Sequence, residues 1–392
     1  MLDALVIGAG PSGSRTAWNL AEAGYSTALV EEHEIIGEPC QCAGLITPRT
    51  FEYLGYQRPV QQEMNGARLW GPKDSFLSFQ APETKALVID RPDLDRSIAN
   101  KAQDAGADLM SGHRYLGHRR TDNGISATIT SKKGKIEIDT KLLIGSDGPA
   151  SRVARDSGLS SKREVLAAFG ADVEGYRGIE NHVDLFVGSE MAPRFFGWGI
   201  PTGPNEGRIG LATVLPDRPK NFFRDFFHKG APSKLLGGAK IVNRVSGLIP
   251  FGTRNPSYSD NVLLTGDAAG MAKPTSGGGI YSGLISADAA FEVADKALQA
   301  GKLDSKTLSP YQKLLQKRIG GELSKGHHLR KAFLSLTDDQ LAEIISILSE
   351  PKVRDAIEKT GDLDYASLAA FSVLKAQPKL IKFAPLLLKP FI

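Results

Sequence analysis

The stretch that decides the fold is Ala4–Gly13, ALVIGAGPSG. Its first four residues are all apolar, which is typical of a parallel strand buried on both faces. Gly8 allows a tight turn after that strand, Gly10 lets the backbone approach a phosphate, and Gly13 lets a following helix pack closely. Pro11 suits the first helical turn, where its missing N–H is no loss. The stretch therefore predicts a strand, a turn and a helix whose N-terminus can hold phosphates.

A second apolar run and an acid complete the unit. The predicted helix runs through Leu20 and ends at Gly24, and Thr27–Val30, TALV, then forms another buried strand. Glu31 follows that strand, 23 residues after Gly8, where an acid can accept a hydrogen bond from a ribose hydroxyl. This context favours a dinucleotide site over a glycine-rich structural turn, but it does not distinguish NAD from FAD.

Four further stretches carry related features. Leu142–Gly148, LLIGSDG, and Val262–Ala269, VLLTGDAA, are apolar strands that run into glycine and aspartate. Gly277–Ile280, GGGI, opens a predicted helix after the second of them. Earlier in the chain, Asp90–Arg96, DRPDLDR, has the acid and proline of a helix start. The arrangement of a buried strand followed by glycine and an acid therefore occurs twice more.

This set of stretches resembles the FAD-dependent group that includes para-hydroxybenzoate hydroxylase. The resemblance implies FAD as the cofactor, with Asp267 on its ribityl chain and with Gly279 and Ile280 directing backbone N–H groups toward the isoalloxazine ring. A positive helix end there would favour the anionic reduced flavin. It also implies that Arg91 approaches the FAD and that Asp147–Gly148 shapes the floor of the FAD domain. The residues alone leave simpler alternatives open: a helix cap for Asp267 and a surface arginine for Arg91.

Two segments narrow the resemblance. Gly37–Ile46, GEPCQCAGLI, and Phe196–Gly203, FGWGIPTG, are similar to segments of the archaeal geranylgeranyl reductase family, whose members saturate isoprenoid double bonds in membrane lipids. The similarity runs nearly end to end and includes the C-terminal segment Lys359–Leu374. Phe196 replaces a tyrosine of the family and Ile200 replaces a phenylalanine, so any role of the phenol is lost or moved.

The glycine motif and the resemblance together imply a set of site residues. Those predicted to bind FAD are Gly8, Gly10, Gly13, Glu31, Cys42, Ala43, Gly44, Arg91, Tyr115, Asp267, Gly279 and Ile280. Those predicted to bind the lipid are Phe196, Trp198 and Pro201. Cys42 is also the candidate catalytic residue, and Cys40 is not expected to take part. The sequence leaves open that Cys42 and the aromatic residues are ordinary packing residues.

The implied activity is the FAD-dependent reduction of geranylgeranyl double bonds in precursors of archaeal membrane lipids. An unactivated alkene needs a hydride from N5 of the reduced flavin at one carbon and a proton at the other, and a Cys42 thiol has the chemistry to supply that proton. Two alternatives stay open: a flavin-dependent aromatic monooxygenase, and a non-catalytic flavin- or lipid-binding protein. The residues do not decide whether NADPH, NADH or ferredoxin is the electron donor.

The predicted fold is α/β, with a Rossmann-like FAD-binding domain, an antiparallel-sheet substrate domain and a C-terminal helical region. Residues 113–140, where polar and apolar residues alternate between turn signals, are expected to form a small meander. The expected boundaries are 1–55, 88–155 and 250–300 for a discontinuous FAD domain, 56–87 and 156–249 for the antiparallel sheet, and 301–392 for the helices.

Composition excludes several classes of protein. The 392 residues are 41% hydrophobic and 23% charged, as in ordinary globular proteins. The 48 basic residues exceed the 44 acidic ones by only four, too few for a dedicated nucleic-acid binder. The two cysteines rule out a disulfide scaffold, and no metal site is expected from the spacing of His and Cys. The sequence shows no secretion signal and no spanning helix, so we expect a cytoplasmic protein.

The C-terminal tail suggests contact with a membrane. Gln377–Lys389 is basic and apolar, and no acid follows Asp364. Such a segment can rest on an anionic bilayer surface, which predicts peripheral contact at the inner face of the cell membrane. Its prolines interrupt a long helix, so docking of the tail onto the protein itself is the alternative.

Overall fold

The computed structural model describes residues 1–55, 60–214 and 219–383. The strands within these residues are β1 (Leu2–Ile7), β2 (Thr27–Val30), β3 (Leu45–Ile46), β4 (Gln62–Met64), β5 (Gly66–Trp70), β6 (Phe76–Gln80), β7 (Ala86–Val88), β8 (Asp108–Met110), β9 (Arg114–Thr121), β10 (Gly124–Ser131), β11 (Gly134–Gly145), β12 (Glu164–Glu174), β13 (His182–Gly188), β14 (Ala192–Gly203), β15 (Glu206–Val214), β16 (Lys240–Phe251), β17 (Tyr258–Ser259) and β18 (Val262–Leu264).

Helices follow the strands and dominate the C-terminal part of the chain. They are α1 (Pro11–Glu22), α2 (Pro48–Leu54), α3 (Arg91–Asp104), α4 (Arg152–Asp156), α5 (Pro219–Phe226), α6 (Gly230–Leu236), α7 (Gly266–Ala269), α8 (Ile280–Gln299), α9 (Ser305–Leu308), α10 (Pro310–Leu315), α11 (Gly321–Leu334), α12 (Asp338–Leu348), α13 (Pro351–Thr360) and α14 (Ala366–Ala376). A π-helical turn (Gln316–Gly320) precedes α11, and a 3-10 turn (Pro378–Phe383) follows α14.

The first sheet contains the strands predicted to hold the cofactor. Its order is β17-β18-β11-β1-β2-β8, and β10 and β9 extend from β11 as an antiparallel meander. β1 lies parallel to both β2 and β11, and β11 lies parallel to β18. The carboxyl ends of these four strands therefore meet at one edge of the sheet. The predicted α/β fold and the meander within 113–140 are confirmed.

Burial explains why β1 forms the centre of this sheet. Ala4–Val6 have no exposed surface and Ile7 is nearly buried, because the core around this strand is filled by apolar residues of α1, α8 and the meander strand β10. Helix α1 begins with Pro11 in its first turn and packs against α3 and α8. Helix α3 is capped by the Asp90 side chain, which accepts a 2.9 Å hydrogen bond from the Asp93 N–H.

The second sheet has the order β16-β12-β15-β14-β13-β5-β6. All of its neighbouring strands are antiparallel except β5 and β13, which pair in parallel from Gly66↔His182 to Trp70↔Phe186. The predicted antiparallel sheet is confirmed, with one parallel pair that the sequence did not predict. The reason is that β5 and β13 lie far apart in the sequence, so no hairpin fixes their relative direction.

A third, three-stranded sheet has the order β3-β7-β4. The segment 56–87, predicted to lie in the second sheet, is therefore divided, with β5 and β6 in the second sheet and β4 and β7 in the third. The division has two causes. Strand β7 pairs with β3, which is the end of the cysteine segment Gly37–Ile46, and the Ile89 N–H donates a 2.8 Å hydrogen bond to Gly44 O. Within this segment, residues 56–59 lie outside the described part of the chain.

The C-terminal helices pack onto both of the larger sheets. Arg330 on α11 donates to both carboxylate oxygens of Glu164 on β12, at 2.6 and 2.9 Å, and to Arg194 O before the aromatic part of β14.

The described residues contain no helix long and apolar enough to cross a bilayer. Residues 384–392, which include part of the predicted membrane tail, lie outside the described residues.

Candidate functional site at the carboxyl edge of the parallel strands

The glycines of the first turn occupy positions where a side chain has no space. Gly8 has φ +102°, and a Cβ atom on it would lie 2.4 Å from Ser146 O. A Cβ on Gly13 would lie 1.9 Å from Gly8 O, so this glycine lets α1 approach β1 closely. A Cβ on Gly10 would meet no atom within 4 Å, so this residue faces open space. The turn is thus tightly packed at Gly8 and Gly13 and open at Gly10, as phosphate binding requires.

Glu31 lies at the end of β2 and reaches back to this turn. Its carboxylate accepts a 2.9 Å hydrogen bond from the Ala9 N–H and a 3.0 Å bond from the His33 N–H. The side chain is only 13% exposed. The structure therefore brings Glu31 to the position next to the glycine turn that its spacing predicted, where it has lone pairs left for a ribose hydroxyl.

Asp267 lies in the first turn of α7, directly after β18. A Cβ on Gly279 would lie 3.0 Å from Asp267 Oδ1, so the aspartate and the glycine run adjoin each other. Burial raises the pKa of Asp267 to about 6, although Arg91 and Arg163 oppose the rise. Within the described residues its carboxylate accepts no hydrogen bond. A desolvated acid without a donor is a position at which a ligand hydroxyl would fit.

Arg91 connects this acid to the cysteine segment. It donates to Asp95 at 2.8 and 3.1 Å, and the Cys42 side chain lies near its guanidinium. Burial lowers the pKa of Arg91, but the charge of Asp95 opposes burial and the pKa lies above its ordinary value. The pKa of Asp95 is raised by burial against the effect of Arg91. The surface-arginine alternative is therefore wrong, because this side chain is only 16% exposed.

The cysteine segment forms a tight loop fixed to the second sheet. Arg208 on β15 donates to Ala43 O at 3.1 Å and to Ile89 O at 2.9 Å. Gly44 has φ +69°, and a Cβ on it would lie 2.5 Å from the Arg208 guanidinium. The Gly44 N–H points at the Cys42 sulfur at 3.4 Å. Arg208 therefore holds Ala43 and Gly44 in place, and the Cys42 side chain lies near Arg91.

Cys40 has a different environment from Cys42. Its thiol donates a 3.5 Å hydrogen bond to Cys42 O, and both cysteines are free thiols. Burial raises the pKa of Cys40, so this thiol is held in its neutral form.

Aromatic side chains of β14 form the wall opposite the glycine run. Phe195 and Phe196 stack with ring centroids 4.2 Å apart, and Trp198 meets Phe196 edge-on at 6.2 Å. A Cβ on Gly277 would lie 3.5 Å from the Phe195 ring, so that ring contacts the glycine run. Trp198 also shares an apolar cluster with Ala43. We call the rings of Phe195, Phe196 and Trp198 the aromatic wall.

Two of the predicted residues lie apart from this wall. By strand alternation Pro201 lies on the same face as Gly199, which Tyr176 covers, and so on the opposite face from Phe196 and Trp198. The Tyr115 ring is buried in the core of the first sheet, and its hydroxyl pairs with His118 at 2.5 Å and with Asp156 at 3.3 Å. Burial raises the pKa of this hydroxyl.

Asp147 has a structural role in the folded chain. Its carboxylate accepts hydrogen bonds from Ser151 Oγ at 2.6 Å, the Arg152 N–H at 2.7 Å and the Val153 N–H at 3.0 Å. These bonds cap the start of α4. Ile280 opens α8, and Gly279, which precedes it, supplies no capping side chain, so N–H groups at the start of this 20-residue helix are left without intrahelical partners.

Sequence reasoning missed two residues that the fold brings to the site. Arg163 donates a 2.9 Å bond to Asp267 O, and Lys273 lies buried at the base of the same loop. The pKa of Arg163 is lowered to about 10 by burial and by the nearby charge of Arg254. Lys273 could have been noticed in the sequence, because it stands between the Gly-Asp segment and the glycine run. Arg163 had no such signal.

Comparison with known proteins gives the family. The FAD binding domain family matches residues 1–296. An uncharacterised protein of Methanocaldococcus jannaschii is 32% identical over 95% of each chain. Digeranylgeranylglycerophospholipid reductase of Methanothrix thermoacetophila is 30% identical, over 89% of this chain and 92% of its own. This chain belongs to the geranylgeranyl reductase family of FAD-binding proteins.

Solved structures with low sequence identity show the same fold. A geranylgeranyl bacteriochlorophyll reductase-like protein of Thermoplasma acidophilum superposes with a TM-score of 0.87 at 22% identity, covering 97% of this chain and 98% of its own. A flavin-dependent brominase superposes with a TM-score of 0.74 at 15% identity, covering 97% and 98%. This member of the geranylgeranyl reductase family therefore has the flavoprotein fold over nearly its whole length.

The residues at the carboxyl edge fit FAD. The open glycine turn at Gly10 suits the pyrophosphate and Glu31 suits a ribose. Asp267, desolvated and without a donor, suits the hydroxyls of the ribityl chain. Gly277–Gly279 present backbone without side chains to the region between Asp267 and the aromatic wall. The reductase-family chain thus offers groups for each part of the cofactor along one edge.

The raised pKa of Asp267 gives a test by pH. An acid whose pKa is raised in the folded state contributes stability that is complete below its unfolded pKa and is lost as the pH rises through its folded value. For the FAD-free protein we expect the free energy of unfolding to fall, relative to Asp267→Asn, between about pH 4 and about pH 6. Urea unfolding of the two FAD-stripped proteins across that range measures the difference. A constant difference at every pH would contradict the buried, ionisable environment of Asp267.

Proposed function

We propose that this protein is an FAD-dependent reductase that saturates isoprenoid double bonds of geranylgeranyl chains in archaeal membrane-lipid precursors. The observation that carries the proposal is the aromatic wall opposite the glycine run. Phe196 and Trp198 are partly exposed and present an apolar surface where a substrate would meet a flavin ring, and the buried Phe195 stacks on Phe196. The names of the curated relatives support a lipid of this class.

Each part of the site has a task in such a reaction. FAD, when bound and reduced, supplies a hydride. The aromatic wall binds the apolar chain and excludes water from the reacting carbons. Arg91 and Arg208 fix the cysteine loop against the cofactor edge, so that the loop is held before substrate arrives. The lipid double bond gains the hydride at one carbon and a proton at the other, and no leaving group forms.

Cys42 is the residue that we propose to supply the proton. Its side chain lies near Arg91, and the next residue, Ala43, belongs to the apolar cluster that contains Trp198. Transfer of the thiol proton would leave a thiolate beside the Arg91 guanidinium, which stabilises that charge. The thiol of Cys40 bonds instead to a backbone carbonyl, so Cys40 serves as a matched control.

The overall activity is tested under anaerobic conditions. The purified protein is reduced chemically and mixed with digeranylgeranylglyceryl phospholipid, and flavin absorbance and lipid mass are followed together. We expect the flavin to reoxidise as the lipid gains two hydrogen atoms per flavin. Reduced flavin that ignores the lipid but gives a hydroxylated product with oxygen and an aromatic acid would overturn the proposal in favour of a monooxygenase. No reaction with either would leave a binding protein.

The role of Cys42 is tested in the same assay. We expect Cys42→Ser to slow lipid-dependent flavin reoxidation by about 100-fold, the size of effect typical of general acids. Cys40→Ser should stay within about threefold of the wild type, since no proton passes through it. Both variants should keep their FAD content. Equal rates for the wild type and Cys42→Ser would show that Cys42 only packs against its neighbours.

We further propose that the protein meets its lipid at an anionic membrane surface through α14. Leu368 and Phe371, one turn apart, are 56% and 54% exposed, and Lys375 continues the same face. Exposed apolar and basic side chains on one helical face suit a negatively charged bilayer, where each lysine contributes about 1 kcal/mol. The first part of the predicted membrane tail docks on the protein instead, because Leu380 and Phe383 are buried.

The membrane surface has its own test. Replacing both Leu368 and Phe371 by Glu should weaken co-sedimentation with phosphatidylglycerol vesicles by about tenfold or more, through lost apolar burial and added repulsion. Val242 on β16, 59% exposed, offers a matched control, and Val242→Glu should bind vesicles like the wild type. Unchanged binding by the double variant would place the membrane contact elsewhere or remove it.

A further inference from the structure

A buried ion pair lies beside the glycine run and is not used by the function described so far. Lys273 follows α7, and its Nζ lies 2.5 Å from Asp364 Oδ1. The two side chains are 9% and 2% exposed. Asp364 belongs to the segment between α13 and α14, so the pair joins the C-terminal helices to the loop that carries Gly277–Gly279.

The backbone of Lys273 is part of that loop. Its N–H donates to Gly278 O at 3.0 Å, and its carbonyl accepts from the Gly277 N–H at 2.8 Å. A Cβ on Gly278 would lie 3.5 Å from the Lys273 ammonium. The ammonium is therefore held directly beneath the backbone that leads from Asp267 to the aromatic wall, near the start of α8.

Asp364 is fixed from a second side by residues that follow the cysteine loop. Its Oδ2 accepts a 2.5 Å hydrogen bond from Thr47 Oγ1, and Arg49 approaches it at 3.5 Å. Arg49 also pairs with Asp362 at 2.8 Å, and the Asp364 N–H donates to Asp362 Oδ1 at 2.8 Å. The described side chains of this cluster thus comprise two cations, Lys273 and Arg49, and two anions, Asp362 and Asp364.

Stability alone does not account for the cluster. Burial of two charges costs about as much as their attraction returns, and apolar residues of similar volume often stabilise a fold as well. What the pair does provide is a fixed dipole in a desolvated place, with its cationic end against the glycine run, where charges act strongly on their surroundings. The start of α8 adds a positive helix end at the same loop.

We propose that Lys273, held by Asp364, is an electrostatic residue of the flavin site and raises the reduction potential of bound FAD. The proposal deepens the function proposed above and rests on FAD lying against Gly277–Gly279. Reduction by two electrons and one proton leaves the flavin ring with one more negative charge than the oxidised ring. A cation held beside the ring favours that reduced state. Because Asp364 lies between α13 and α14, the C-terminal helices take part in tuning the cofactor.

Two variants of opposite charge provide the test. The midpoint potential of the FAD-bound protein is measured by dye-coupled reduction, without lipid, together with the dissociation constant of sulfite, an anion that adds to oxidised flavins. Lys273→Met should lower the equilibrium constant for reduction about tenfold, which corresponds to about 30 mV for a two-electron couple, and should weaken sulfite binding. Asp364→Asn should shift both quantities in the opposite direction, because it removes the anion and leaves the lysine.

The controls separate charge from packing. Lys273→Arg should stay near the wild type in both quantities. A purely structural role predicts shifts of the same sign in Lys273→Met and Asp364→Asn, or none, and either result would overturn the proposal. Should Lys273→Met fail to retain FAD, the sign of the Asp364→Asn shift decides. Since the potential is measured without lipid, inactivity toward geranylgeranyl chains would refute the proposed reaction and leave this result intact.

Discussion

The structure depends on the close approach of three backbone segments at the end of β1. The carbonyl of Ser146 lies where a Cβ on Gly8 would be, and the carbonyl of Gly8 lies where a Cβ on Gly13 would be. Only glycine allows β11, the turn and α1 to come this near to each other. That contact sets the parallel order of β18, β11, β1 and β2, and Glu31 and Asp267, the acids predicted to bind FAD, lie at the carboxyl ends of these strands.

A small number of buried groups carry the charges at the carboxyl edge of the parallel strands. Arg91 interacts electrostatically with Asp95, Cys42 and Asp267. The loss of any one of these side chains therefore changes the electrostatic environment of the others. Asp267 keeps a raised pKa because burial outweighs the two arginines near it. Such a site is prepared for a polar ligand and is costly without one, which is the usual state of a cofactor-binding edge.

Two side chains outside the first sheet position the rest of the site. Arg208 on the second sheet holds Ala43 O and Ile89 O, and Asp364 from the C-terminal helices holds Thr47 and Lys273. Both act on the segment that runs from the cysteine loop into α2. The cofactor edge, the aromatic wall and the C-terminal helices are therefore linked through short hydrogen bonds, and the apolar face of α14 lies on the same C-terminal unit that carries Asp364.

The sequence alone determined the first sheet and the glycines and acids that follow its parallel strands. Periodicity, glycine spacing and strand-end acids are local signals, so β1, α1, Glu31, the meander and Asp267 could be read without a structure. The parallel pairing of β5 with β13, the face on which Pro201 lies and the partners of Arg91 required the tertiary structure. These depend on contacts between residues far apart in the chain, and no local pattern encodes them. The pair of Lys273 and Asp364, 91 positions apart, is the clearest case, because neither residue has a partner until the C-terminal helices pack against the flavin edge.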